Sequence, residues 1–172
     1  VNISNLSGVP AIVYGLLGLA LFSRMKGFRG SILAGAVTLS LMVLPVVIVS
    51  SREAIKAVPN ILREAAYGLG LTRWQMIKAV VLPYASPGIL TGIILSLSRA
   101  LGEAAPLLVV GAASYVTRIP NGIMSRYTAL PIQIYQWSGM PKKEFQELAA
   151  TGIIVLLVIL LSANTLAIVL SN

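Results

Sequence analysis

The apolar positions of this 172-residue chain fall into four long runs separated by three polar connections. The first run, about residues 9–22 and reaching back to Ile3, reads "VPAIVYGLLGLALF"; the second, residues 32–49, reads "ILAGAVTLSLMVLPVVIV". The third covers residues 87–110 and the fourth residues 148–170, "LAATGIIVLLVILLSANTLAIVL". A helix of roughly 20 mainly apolar residues crosses the hydrocarbon core of a bilayer. The pattern therefore predicts four transmembrane helices and an all-α, polytopic membrane protein. Gly15, Gly18, Gly35, Ala36, Gly88 and Gly92 recur within the runs. Small residues let helices approach closely in lipid, although glycine is also simply more frequent in membrane spans.

The middle connection, residues 50–86, has a helical pattern of its own. Asn60 after Pro59 fits an N-cap, and the helix it opens should fail around Gly68 and Gly70. Thr72 followed three residues later by Gln75 matches a capping box that opens a second helix. Trp74, Ile77 and Val81 are expected on one face of it, Arg73 and Lys78 elsewhere, and Pro83 and Pro87 should stop it before the third span. Two short helices around a glycine turn suit a knob seated in a partner's groove, or an amphipathic hairpin lying on the lipid surface.

Composition sharpens the picture. Charged residues are 10% of the chain against about 25% in soluble domains, and mean hydropathy is +0.90. The net charge of +8 is scattered between the apolar runs, which suits membrane-flanking loops and argues against a nucleic-acid footprint. Lysine and arginine are too evenly divided among the connections to orient the chain. The sequence contains no Cys, His or Asp. This excludes disulfides, thiolate metal sites and most hydrolytic constellations, so no metal, cofactor or catalytic residue is expected. No G-x-x-x-x-G-K-[ST] loop is present, and any ATP hydrolysis must belong to another subunit. The chain opens on Val1 with no signal-peptide pattern, as a fragment or processed product would.

The third run carries Arg99 and Glu103, four residues apart in "SLSRALGEAAPLL". A charge at the bilayer centre costs on the order of 3 kcal/mol, and the i, i+4 spacing on a helix would bring the two together. They make either a buried structural ion pair or a site where the guanidinium fork meets a crossing anion and Glu103 limits its grip. Gly102 and Pro106 fit a backbone broken toward a path, and equally an ordinary proline kink; Pro45 admits the same two readings.

The middle connection also carries Glu64-Ala65-Ala66, three residues, Gly70, nine residues, Val80, one residue, then Leu82-Pro83. This resembles the EAA signature of bacterial ABC importer permeases, with valine in place of the isoleucine. The stretch from Arg99 to Leu108 resembles the AR-x-x-GETAPLL segment of phosphate-specific transport permeases of the A type. "GVPAIVYG", "EAIKAVPNILREAAYGLG" and "LPIQIYQW" are similar to that family as well. Ala104 stands where the family has threonine, so direct ligation there is in doubt.

The resemblance implies a type I ABC importer permease domain over residues 1–172, lacking the first two helices, with residues 50–86 as a cytoplasmic coupling loop. It implies a bacterial or archaeal cytoplasmic membrane as location and inorganic phosphate as substrate. Expected partners are a second permease subunit, a dimer of ATP-binding subunits and an extracytoplasmic phosphate-binding protein, all in membrane lipid. Arg99 and Glu103 would line the substrate path; Glu64, Ala65, Ala66, Gly70, Val80, Leu82 and Pro83 would couple to the ATPase. Arg118 and Arg126 would lie on the external face. A permease for sulfate or molybdate, an autonomous anion channel and a membrane scaffold are the competing readings.

Overall fold

The computed structural model describes residues 2–22, 28, 30–112, 116 and 119–171, and these form helices with no named strand among them. Arg118 and most of the basic turn at residues 23–31 lie outside the described residues. Three helices are long and apolar enough to cross a membrane: Ile32–Lys56, Arg73–Leu101 and Lys143–Val169.

The first predicted span is divided. Helix α1 (Asn2–Ser7) ends before Gly8, and α2 (Ala11–Phe22) starts after Pro10. Proline disfavours helical geometry in Val9, the residue before it, which accounts for the interruption. At 12 residues, α2 is an apolar helix shorter than a full crossing. Tyr14 Oη donates to the carbonyl of Leu6 at 2.7 Å and ties the two pieces together.

Helix α3 (Ile32–Lys56) begins where its pattern begins, because Ser31 caps it: the Ser31 hydroxyl accepts from Ala34 N at 3.2 Å. It does not stop at the edge of the apolar run but continues through Arg52 and Glu53. Helix α4 (Asn60–Gly68) follows, with Pro59 in the cap position and Asn60 already helical. The expected Asn60 cap is therefore one residue out; proline pre-sets φ just ahead of the first turn.

Helix α5 (Arg73–Met76) has the anticipated capping box, Gln75 N donating to Thr72 Oγ1 at 3.4 Å and Thr72 N to Gln75 Oε1 at 2.9 Å. It does not end before the third span. It runs through a π turn (Ile77–Val81) into α6 (Leu82–Leu101), an uninterrupted 29 residues. Two local devices accommodate the prolines expected to break it. A proline ring presses on the carbonyl four residues back; ahead of Pro83 the turn is widened, with Leu82 N donating five residues back to Ile77 O. At Pro87 the carbonyl left without its donor is that of Pro83, and the Ser86 hydroxyl donates to it at 2.9 Å.

The extra residue of the π turn also changes which side faces inward. Met76 and Val81 are buried, whereas Trp74, expected beside Val81, is exposed. Lys78 Nζ lies 5.3 Å from the Trp74 ring centroid, so the two share the outer surface.

Helix α6 runs antiparallel to α3. Gly88 meets Ala54, Gly92 meets Ser50, and Ala100 shares a cluster with Met42. Helices α7 (Ala105–Val110), α8 (Leu130–Ser138) and α9 (Lys143–Ser171) complete the described chain. Short α7 wedges against α2 and α3, α8 packs on α9, and α9 lies along α6. The glycines mark these contacts: Gly15 meets Pro106, Gly18 meets Thr38 and Val110, Gly35 meets Tyr127, and Gly152 meets Ile134. Most of the remaining surface of α9 is exposed apolar side chain, as a lipid-facing helix requires.

Candidate functional site

Two groups of residues stand at opposite ends of α6. At its start lies the α4–α5 hairpin. Val58, Ala66, Met76, Val81 and Ala85 form a buried cluster beneath it, with Leu62, Leu71 and Val80 packed around them. The hairpin turns at Gly70, whose φ of +81° is left-handed and favours glycine. Gly70 N donates to Tyr67 O at 2.9 Å and Leu71 N to Ala66 O at 3.1 Å, the paired bonds of a Schellman closure.

Of the seven positions with coupling spacing, three therefore build the hairpin: Ala66 and Val80 in its core and Gly70 at its turn. Glu64, Ala65, Leu82 and Pro83 are exposed. The hairpin also carries large apolar side chains that are exposed among the described residues, Ile61 at 71%, Leu69 at 82% and Trp74 at 64%.

Arg63 is a contributor that sequence reasoning did not single out. Its Nη2 donates to Ile55 O at 2.7 Å, eight residues away. A cation on the last carbonyls of a helix complements the dipole, and here it adds to the longer bond Ile55 O accepts from Val58 N at 3.4 Å. Arg63 thereby ties the end of α3 to α4, a contact no local spacing reports.

Arg99 and Glu103 stand at the other end. Arg99 is in the last turn of α6, but Glu103 is not on the same helix: α6 ends at Leu101, and residues 102–104 are a break before α7. The pair still meets, Nε to Oε1 at 3.6 Å. The Arg99 side chain is 67% exposed and that of Glu103 21%. Arg99 also lines a narrow cavity of about 20 Å³ with Ser7, Tyr14, Met42, Val43 and Ser96.

The antiparallel register of α3 and α6 puts Arg99 level with Val43, near the middle of the uncharged stretch of α3 at residues 32–51. Sixteen residues of helix separate Pro83 from Arg99, about 24 Å at 1.5 Å per residue. The pair thus lies level with the middle of the uncharged stretch of α3, and so does the backbone break beside it. Non-helical backbone is tolerated at membrane depth only where it faces protein or a water-filled cavity.

Short α7 holds the break in place. Leu107 and Val110 are buried, and α7 ends at Gly111 with φ of +101°. A side chain on Gly15 would come within 2.8 Å of Pro106 Cα, so α2 backs directly onto this segment. Ala104 occupies the N-cap position of α7 and supplies no side-chain cap.

The loop before α8 packs over the start of α3. Ile32 N donates to Ser125 O at 3.1 Å and Leu33 N to Ile123 O at 2.9 Å. Tyr127 lies on Gly35, its hydroxyl buried without a hydrogen-bond partner. Burial pushes its pKa up to about 12. Arg126 is exposed in the same loop. Beside Tyr127 a largely apolar groove of about 860 Å³ runs between α3 and α6, past Leu39, Val43, Val47 and Leu97.

Comparison with known proteins places this arrangement. A family model described as "binding-protein-dependent transport system inner membrane component" matches residues 3–171. The phosphate transport system permease protein PstA of Xylella fastidiosa is 38% identical over 169 residues, 97% of this chain and 58% of that protein. A phosphate transport system permease protein of Mycobacterium tuberculosis is 41% identical over 130 residues, 76% of this chain and 42% of its own length. A probable ABC transporter permease protein of Bacillus subtilis is 44% identical over 103 residues, 60% of this chain and 35% of that protein. The chain spans about half the length of the curated relatives it matches. No solved structure matches it.

Proposed function

We propose, from the premise that this chain belongs to the family of binding-protein-dependent transport system inner membrane components, that it forms half of the pathway of an ATP-driven inorganic phosphate importer. The observation that carries this reading is Arg99 beside a backbone break level with the middle of the uncharged stretch of α3, paired loosely with Glu103 and largely exposed. A guanidinium presents a planar donor fork suited to phosphate oxygens. A weak internal partner lets the anion take hold and leave again. The names of the relatives, phosphate transport permeases, support phosphate as the anion.

In this reading the α4–α5 hairpin is the coupling loop on the cytoplasmic side. Glu64, Ala65, Leu82 and Pro83, with Ile61, Leu69 and Trp74, form its docking surface for the ATP-binding subunit, and Ala66, Gly70 and Val80 hold that surface in shape. The apolar groove between α3 and α6 suits a helix of the second permease. Arg126 belongs to the external face, where the phosphate-binding protein delivers its cargo. The membrane-domain architecture and the exposed hairpin favour this reading over an autonomous channel, which has no use for a docking knob.

The test is ATP-dependent uptake of radiolabelled phosphate into vesicles holding the full-length subunit with its three partners. Arg99→Ala is expected to abolish uptake while leaving assembly intact. Glu64→Lys is expected to abolish it by uncoupling the ATPase. Phosphate flux that persists without ATP overturns the importer reading in favour of a channel.

A further inference from the structure

Glu103 raises a question the path assignment leaves open. Its side chain is only 21% exposed, yet its nearest cationic neighbour, Arg99 Nε, lies at 3.6 Å. That separation makes an ion pair but not a hydrogen bond, which needs about 2.7–3.2 Å. Among the described residues no side chain or backbone N–H donates to the carboxylate. An ionised carboxylate is acceptor-only, with sites for about four donors, and the Glu103 carboxylate, on a side chain shielded over most of its surface, keeps oxygens that a ligand in the site can reach. Among the described residues Ala104 has no hydroxyl, and the hydroxyls of Tyr14 and Ser96 already donate to Leu6 O and Gly92 O at 2.7 Å each.

Arg99 is the opposite case. It is donor-only, two-thirds exposed, and makes no hydrogen bond among the described residues. The site therefore offers a fork of free donors beside a free acceptor on a largely shielded side chain. A ligand complementary to both carries several anionic oxygens and at least one O–H. Hydrogen phosphate and hydrogen arsenate fit that description. Sulfate and molybdate, fully deprotonated at neutral pH, do not: every oxygen they bring is an acceptor, and one must face the carboxylate.

We propose that Glu103 is a specificity-determining residue of the pathway, accepting a hydrogen bond from the anion's own O–H and so admitting protonated oxyanions while rejecting deprotonated ones. This rests on the reading of Arg99 as the anion site. Sites built to bond a substrate hydroxyl reject the analogue lacking it far more strongly than apolar pockets reject a size difference, because the buried polar group is left unpaired. Discrimination at this site acts a second time on whatever the binding protein delivers.

The experiment measures binding of radiolabelled phosphate to the full-length transporter purified without its binding protein, so that the selectivity is the pathway's own. Unlabelled arsenate, sulfate and molybdate serve as competitors. In the wild type, arsenate should compete within about threefold of phosphate itself, and sulfate and molybdate at least tenfold less well. Glu103→Gln keeps the shape but brings an amide that can donate; it should narrow the phosphate-to-sulfate ratio at least tenfold. Glu103→Asp keeps the acceptor and should restore discrimination, separating this role from a merely structural one. Co-purification of the second permease and the ATP-binding subunits with each variant reports that the assembly is intact.

A wild-type ratio near one, a Glu103→Gln variant with the wild-type ratio, or no measurable phosphate binding at millimolar concentration overturns the proposal. If Arg99→Ala binds phosphate as the wild type does, it is the assignment of Arg99 to the path that falls, and with it the premise of this inference.

Discussion

Gly15 of α2 lies directly against Pro106 of α7, with no room between them for even a methyl group. Through this contact α2 holds α7, and α7 holds the break that carries Glu103. Gly15→Ala should push α7 away at a cost of about 1–3 kcal/mol, the usual penalty for overpacking. A lowered melting temperature of the assembled transporter and reduced phosphate uptake check this. Gly8→Ala is the control, since a side chain there meets nothing closer than 3.6 Å.

Gly70 and Gly68 make a pair of opposite sign. Both are surrounded by open space, so any effect comes from the backbone. Gly70 has φ of +81°, and Gly70→Ala should destabilise the hairpin by about 1–2 kcal/mol. Gly68 is in the last helical turn, and Gly68→Ala should stabilise it by about 0.5–1 kcal/mol. Local hydrogen exchange of residues 60–81 should move in opposite directions in the two variants. ATPase coupling should suffer only in the first.

Arg63→Ala removes the charged donor from Ile55 O, which keeps only its longer bond from Val58 N, and should cost about 1.5–3 kcal/mol, the range for a hydrogen bond to a charged group. Faster exchange at the junction of α3 and α4 would report the loss. Arg63→Lys should recover only part of it, because a compact ammonium lacks the reach and fork of the guanidinium.

Tyr127→Phe should be neutral to stabilising by about 1 kcal/mol, since it removes a buried hydroxyl that has no partner. Its pH dependence has a definite sign. The folded pKa is pushed up to about 12, above the ordinary tyrosine value of about 10. The stability Tyr127 contributes is therefore full below about pH 10 and lost as pH rises through about 12. The wild type should lose melting temperature across that window, and Tyr127→Phe should lose less.

How much of this was legible depended on whether the signal was local. The start of α3 at Ile32 was legible from where the apolar run begins, and the Thr72–Gln75 box because capping is written within four residues. The turn at Gly70 was legible because few residues besides glycine adopt its φ readily. The continuity of Arg73–Leu101 was not, since Pro83 and Pro87 carry an explicit stop signal that a π turn and one serine hydroxyl cancel. The inserted residue of that turn also displaced Trp74 from the expected inner face. Arg63 was hidden because its partner is eight residues away on another helix. For Arg99 and Glu103 the spacing correctly announced proximity, but not the helix end between them, which depends on α7 being wedged against α2 and α3.

The unbroken run of α6 between its two ends makes it a stiff strut. A tilt of about 10° pivoting at the hairpin would swing the far end, about 24 Å away, by roughly 4 Å, comparable to the width of a small oxyanion. Under the proposed function, a push on the hairpin would need no chain of side-chain rearrangements to reach Arg99; the geometry of one rod would convert a small rotation into a displacement on the scale of the anion.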